Sequence, residues 1–279
     1  MVEDERDGDD RVQEGSPAGR REDGPTGDLA ADAQLAVDIA ERSGSLLLDL
    51  RRAGGPDLGA RGDRRSHQLM VEALARARPA DRVRSEEAGP GEDAAGATGR
   101  LWVVDPLDGT REFGQGLDEF AVHVALVVDG RSVVGAVGLP GLGVVLSSAE
   151  PPALPPVVGD PPRLVVSRSR PPAEAAMVAA ALGAVVVPLG SAGYKMAAVV
   201  RGEADAYVHA GGQYEWDSAA PVAVAAAAGL HVSRLDGSAL RYGRPDPYLP
   251  DLVVCRRELA DRVLAAVAGR PGTETAGGG

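Results

Sequence analysis

The chain has 279 residues, 44% of them hydrophobic, enough to enclose one large core or two lobes that share one. Aromatics make up only 3%, so Ala, Val and Leu must fill the interior, and a net charge of −12 argues against a protein that grips a nucleic-acid backbone. The single cysteine, Cys255, excludes an internal disulfide and a cysteine-built zinc site, and four scattered histidines without an H-E-x-x-H pairing argue against a zinc hydrolase.

Residues 1–27 are mostly Asp, Glu, Arg, Gly and Pro and are expected to form a disordered tail. The opening Met-Val-Glu-Asp-Glu-Arg has no apolar stretch behind it, so no signal peptide is expected. No apolar run is long enough for a membrane span, and a cytoplasmic protein follows as the expectation. Apolar residues at three- and four-residue spacing predict a helix over Leu29–Leu50. A Gly-rich turn, Ala53–Gly62, precedes a second helix from Asp63 to Ala77, and Ala88–Gly99 reads as a flexible loop. Leu101–Val104 is a short buried strand stopped by Asp105-Pro106, and Phe120–Val128 with Ser132–Leu139 forms a hairpin around Asp129-Gly130.

Six prolines between Glu150 and Pro162 predict an extended connector. Beyond it come a strand (Leu164–Val166), a helix (Pro172–Leu182), a strand (Ala184–Val187), a helix (Tyr194–Val200), a strand (Ala206–His209) and a helix (Ser218–Ala228) ended by Gly229. Strands, helices and a hairpin mixed in this way predict α+β layering, not a doubly wound sheet. Two lobes are expected, 28–150 and 163–270, both contributing to one site.

The central chemical signal is Trp102-Val-Val-Asp-Pro-Leu-Asp-Gly-Thr-Arg-Glu-Phe113. An apolar strand delivers Asp105 to its end, Pro106 turns the chain out, and Asp108 follows three residues later with the Leu107 carbonyl between them. Asp-Pro and Asp-Gly are also ordinary turn dipeptides. Two unpaired carboxylates about 4 Å apart, however, cost roughly 1–4 kcal/mol in repulsion. A hard divalent cation removes that cost, and Mg²⁺ also accepts phosphate oxygens as ligands. Gly109 and Thr110 then offer backbone N–H groups where an anion can sit.

This stretch resembles the D-P-x-D-G-T signature of the inositol monophosphatase superfamily of lithium-sensitive, Mg²⁺-dependent phosphatases. Ser85-Glu86-Glu87 is similar to the family's upstream paired glutamates, and Glu215-Trp216-Asp217-Ser-Ala-Ala220 to its later W-D motif. Asp63 lies 23 residues before Glu86, where the family carries another aspartate. Taken singly, Glu86 and Glu87 read as a solvated pair, and Asp63 and Asp217 as helix caps. The order of the whole set, over about residues 28–255, is what carries the resemblance.

It implies a layered α/β/α/β/α sandwich and two Mg²⁺ ions, and leaves a third open. Glu86, Asp105 and the Leu107 carbonyl are implied for the first ion, and Asp105, Asp108 and Asp217 for the second. Thr110 and Asp63, with Glu86, are implied to prepare the attacking water for in-line displacement at phosphorus.

Val165-Val-Ser-Arg-Ser-Arg170 and Gly190-Ser-Ala-Gly-Tyr-Lys195 resemble the substrate-side motifs of the family's CysQ-type 3′(2′),5′-bisphosphate nucleotidase branch. That branch is linked to sulfur assimilation and removes the 3′-phosphate of 3′-phosphoadenosine 5′-phosphate and its sulfated relative. Its pattern usually ends Ser-Arg-Ser-His, where this chain has Arg170. The stretch Ser233–Cys255 is most like actinobacterial members. The substrate-side set implied here is Leu107, Asp108, Gly109, Thr110, Ser169, Arg170, Ser191, Gly193, Lys195 and Asp217. Lys195, the only lysine of the chain, or Arg170 supplies the cation for a second phosphate. The partner is then a small adenosine 3′,5′-bisphosphate-class ester, with no nucleic acid and no membrane, and a homodimer is left open. An inositol-1-phosphate or fructose-1,6-bisphosphate phosphatase, and a non-catalytic nucleotide or metal sensor, stay open as alternatives.

Overall fold

The computed structural model describes residues 28–88, 99–154 and 160–268. The expected tail, most of the Ala88–Gly99 loop and the middle of the proline-rich connector lie outside the described residues. Helix α1 (Leu29–Ala53) starts where Asp28 accepts from the amides of Ala30 (3.1 Å) and Ala31 (3.2 Å), satisfying two donors that an uncapped helix leaves open. Helix α2 (Leu58–Ala77) begins five residues earlier than its sequence suggests. Gly59 and Gly62 are not turn residues but helix residues where the chain needs no side chain. A Cβ on Gly59 would stand 2.8 Å from Thr110 Cγ2, and one on Gly62 2.9 Å from Leu107 Cδ2. Glycine weakens a helix by about 1 kcal/mol relative to alanine; here it lets α2 lie directly against the Asp105–Thr110 segment.

The first sheet contains β1 (Arg82–Ser85), β2 (Arg100–Asp108), β3 (Ala121–Val128), β4 (Arg131–Leu139) and β5 (Val144–Ser147), in that order. β1 runs parallel to β2, and the remaining pairs are antiparallel. The β3–β4 turn places Asp129 (φ 48°) and Gly130 (φ 76°) in the left-handed region, as a two-residue hairpin turn matched to strand twist requires. Alternation along β2 sends Trp102 and Val104 to one face and Leu101 and Val103 to the other, so both faces of the sheet are covered.

A short helix α3 (Thr110–Gly114) follows β2. The second half builds β6 (Arg163–Ser167), α4 (Ala173–Leu182), β7 (Val185–Leu189), α5 (Ala192–Val200), β8 (Ala206–Tyr214), α6 (Glu215–Ala227), β9 (His231–Ser233), β10 (Tyr248–Cys255) and α7 (Ala260–Val267). The second sheet has the order β7-β6-β8-β10-β9, parallel around β6 and antiparallel around β10. Helices α1 and α2 cover the outer face of the first sheet. α5 and α6 fill the space between the sheets, and α4 and α7 cover the outer face of the second. The chain is thus the five-layer α/β/α/β/α sandwich its sequence leads one to expect. Among the described residues, no helix is long and apolar enough to cross a membrane. β2 also runs four residues past its expected end, to Asp108, with its pairing broken between Asp105 and Asp108. That irregularity is where the chemistry begins.

Candidate active site and metal centre

Asp105 sits at the break in β2. Ser66 of α2 donates to the carbonyl of Pro106 (2.8 Å) and so holds the bend against the helix. One Asp105 oxygen accepts the Leu107 amide (3.0 Å), while Oδ2 is buried with no hydrogen-bond partner. Asp108 is fixed from the other half of the chain. Its carboxylate accepts Ser191 Oγ (2.6 Å), the Ala192 amide (3.0 Å) and the Gly193 amide (2.5 Å), all at the start of α5.

Asp217 belongs to the first turn of α6, which begins three residues earlier than expected. Its role as the helix-capping residue itself is therefore overturned: Tyr214 stands at the N-cap, and Asp217 reaches back to accept the Tyr214 amide (2.7 Å). Asp63 likewise lies in the second turn of α2 and caps nothing.

Asp105, Asp108 and Asp217 each bring an oxygen within 4.8 Å of the other two. Glu86 follows β1, whose parallel pairing with β2 sets its end beside Val104. Its side chain stays exposed at the edge of the cluster, outside the group in which Asp105, Asp108 and Asp217 meet, yet near enough for its charge to raise Asp105. The crowding is visible in the protonation equilibria. Desolvation beside the cluster, then Asp108 and Glu87, push the exposed Glu86 up to about 7. Burial and Asp108 push Asp217 up to about 8, and burial with Glu86, Asp108 and Asp217 raises Asp105 well above the carboxylate range. A buried, unpartnered carboxylate oxygen among further hard oxygens fits a small divalent cation that prefers oxygen ligands.

Beside the cluster, Thr110 Oγ1 lies 3.1 Å from the Leu107 carbonyl and 3.4 Å from Asp63 Oδ1. Burial, followed by Glu87 and Glu86, raises Asp63 to about 7. A cleft of about 550 Å³ opens here, and Asp108, Gly109, Thr110, Ser169, Arg170, Ser191, Lys195 and Asp217 all line it. Leu107 and Gly193 do not. The Leu107 side chain is fully buried, leaving only its carbonyl to act. Gly193 is a packing residue: its amide is spent on Asp108, and a Cβ there would stand 1.9 Å from His123 Nε2. Lys195 is buried against Tyr207, with Nζ donating to the carbonyls of Gly190 (3.2 Å) and Ser191 (2.5 Å). Burial lowers its pKa, opposed by Asp108 and other acids.

Several members of the site are not foreseen from sequence. His123, the β3 register partner of Asp105, is fully buried; its Nδ1 donates to the Trp216 carbonyl (3.0 Å) and its Nε2 lies 3.5 Å from Asp108 Oδ2. Burial depresses its pKa, which keeps the ring neutral. A lone polar residue in Ala-Val-His-Val-Ala-Leu is the signal that could have found it. Tyr207, His209 and Gln213 of β8 line the cleft. Arg84, two residues before Glu86, pairs with Glu215, two residues before Asp217 (2.6 Å, both 1% exposed). Glu215 also accepts the amides of Gly243 (2.9 Å) and Arg244 (3.0 Å).

The inositol monophosphatase family profile matches residues 28–151 and 162–270, and the chain belongs to that family. Among its relatives, the 3′-phosphoadenosine 5′-phosphate phosphatase of Mycobacterium leprae is 46% identical over 253 residues, covering 85% of this chain and 93% of the relative. The 3′(2′),5′-bisphosphate nucleotidase CysQ of Escherichia coli is 35% identical over 194 residues, covering 66% and 79%. Of solved structures, CysQ from Bacteroides thetaiotaomicron superposes with a TM-score of 0.67 at 26% identity, covering 81% of this chain and 97% of the other. Inositol monophosphatase from Anabaena gives 0.69 at 22%, covering 88% and 98%, a likeness of fold alone.

Proposed function

We propose that this chain is a Mg²⁺-dependent phosphomonoesterase that removes the 3′-phosphate of adenosine 3′,5′-bisphosphate and of its 5′-phosphosulfate relative. The observation that carries the reading is a single cleft lined by both acids and cations. Asp108 and Asp217 line it beside the buried, unpartnered oxygen of Asp105, and Arg170 and Lys195 line the same space. The names of the relatives agree with the nucleotide class.

In this reading Glu86, Asp105 and the Leu107 carbonyl hold one ion, and Asp105, Asp108 and Asp217 the second. Bound there, the metal supplies Lewis-acid stabilisation of the charge on the phosphoryl oxygens. The chain's own residues do the rest. Thr110 and Asp63 orient a water for in-line attack on phosphorus; Asp63 takes a proton from it as the P–O3′ bond breaks, and the departing 3′-oxygen takes a proton from solvent. Burial, the largest influence on Asp63, raises its pKa above that of an ordinary aspartate and so favours proton uptake. Gly109 and Thr110 open α3 at the cleft, and Arg170 meets the 5′-phosphate. Lys195, already donating to two carbonyls, acts through its charge and not as a direct phosphate ligand.

Parallel assays of phosphate release from adenosine 3′,5′-bisphosphate, inositol 1-phosphate and fructose 1,6-bisphosphate, each with Mg²⁺ and with EDTA, test the reading. The expected outcome is Mg²⁺-dependent release with the nucleotide preferred. Preference for inositol phosphate moves the chain to that branch, and no release from any ester leaves a sensor.

A further inference from the structure

Of the chain's nine aromatic residues (two Phe, two Trp, five Tyr), three gather at one place on the surface. Tyr214 and Trp216 stack with ring centroids 4.9 Å apart and planes 12° from parallel, and Tyr248 meets Tyr214 edge-on at 6.0 Å. Tyr214 is 43% exposed and Tyr248 39%, so two large rings stay wet in a protein that otherwise buries its scarce aromatics.

The group adjoins the catalytic cleft at two points. The Tyr214 amide is bonded to Asp217, a cleft residue, and the Tyr248 hydroxyl accepts from the amide of Gly212, another cleft residue (3.3 Å). Gly212, which donates to the Tyr248 hydroxyl, and its neighbour Gly211 are exposed and carry no side chain. Gly211 and Gly212 both have positive φ (78° and 75°). A Cβ at Gly211 would touch nothing within 4 Å, and one at Gly212 would meet only Arg170 Nη1, at 3.9 Å. Aromatic faces, exposed glycine backbone and a guanidinium together suit a planar heterocycle that carries an anionic group, because bases stack on such faces whatever their edge pattern.

We propose that Tyr214, Trp216 and Tyr248 form a shelf that stacks the nucleobase of the substrate, and that this shelf separates nucleotide esters from base-free phosphate esters. The inference rests on the nucleotide reading above and deepens it.

Calorimetry with AMP and with inorganic phosphate, the two fragments that hydrolysis would release, tests the shelf without requiring turnover. In Tyr214→Leu, and more weakly in Tyr248→Leu, the Kd of AMP rises about tenfold, as loss of a stacked base predicts, while the Kd of phosphate stays put. Tyr214→Phe keeps both constants. AMP also quenches the emission of Trp216, and phosphate does not; the other tryptophan, Trp102, is fully buried. AMP affinity that ignores both Leu variants overturns the proposal, as does a parallel rise of both constants, which marks a merely structural role. If the shelf is covered by another part of the chain, AMP leaves Trp216 untouched, and the proposal falls equally. A wild-type chain that binds AMP on the shelf yet does not hydrolyse adenosine 3′,5′-bisphosphate sinks the proposed function and keeps the shelf.

Discussion

Two kinds of buried acid occur in this molecule, and they are treated in opposite ways. Asp32 receives Arg78 (2.7 Å) and Arg100 (2.9 Å), Asp205 receives Arg163 and Arg256 (3.3 Å each), Asp251 receives Arg234 (2.8 Å), and Glu215 receives Arg84 (2.6 Å). Asp105, by contrast, is crowded by Glu86, Asp108 and Asp217, each of which pushes its pKa further up. Among the described residues the fold neutralises these four buried carboxylates with arginine, as desolvation demands. At one point it packs acids together and leaves the counter-charge to something arriving from solution. The lesson is that the meaning of a buried acid lies in what faces it.

The contrast can be broken first at its acidic side. Asp105→Asn should lower Mg²⁺-dependent turnover by about a thousandfold, on the order of 4 kcal/mol of lost transition-state stabilisation, with the fold retained by circular dichroism. Turnover near wild type would remove Asp105 from the metal centre. The arginine-paired side should respond in the other currency. Glu215→Gln removes the charge that Arg84 and the amides of Gly243 and Arg244 all meet, and should cost about 3 kcal/mol of unfolding free energy in urea. A variant as stable as the parent would show that this pair is no different from the acid cluster.

A smaller effect belongs to the hydroxyl between the two sets. Thr110→Val should reduce kcat about a hundredfold with little change in KM, the scale of losing a group that prepares a proton transfer. A change confined to KM would make Thr110 a binding residue.

The most diagnostic effect is on thermal stability without metal. Carboxyls raised in the folded chain to about 7 (Asp63, Glu86) and about 8 (Asp217) hold protons that the unfolded chain releases near 4. Their repulsion is absent below pH 4, and stability is lost as pH climbs through 7 to 8. With EDTA the Tm should therefore fall between pH 5 and pH 8.5, and Mg²⁺ should flatten that slope. A Tm that rises over the same interval without metal would mean the cluster is already neutralised within the chain.

Much of this was readable in the residues because the signals are local. An apolar run ending in Asp105-Pro106, a Gly-ended helix and a Gly-containing hairpin each fix their own geometry within a few positions. What escaped was set by contacts distant in sequence. The glycines of α2 read as a turn because nothing nearby announces that Thr110 and Leu107 will press against Gly59 and Gly62. β10 carries Pro250 and Asp251 in its middle, a composition that argues against a strand. The structure accommodates them by a register shift between Leu249 and Asp251. In the site, Asp105 and Asp108 stand out together at one bend, whereas Asp217, which taken alone reads as a helix cap, is reached only through the ordered resemblance to the family's motifs. His123 and the Arg84–Glu215 pair escape both routes, since a histidine in an apolar strand and an ion pair spanning 131 residues acquire meaning only in three dimensions.

The grip on Asp108 carries a consequence for biosynthesis. Its three donors lie 83 to 85 residues downstream, and Asp217 comes later still. A nascent chain that has finished only its first sheet carries the acids of a cation site without the elements that orient them. Tight cation capture therefore becomes available only after α5 and α6 have emerged and docked. If Asp105, Asp108 and Asp217 hold an ion as proposed, affinity for it is a readout of completed synthesis, and a fragment ending before Ser191 should bind the metal no better than a flexible acidic peptide.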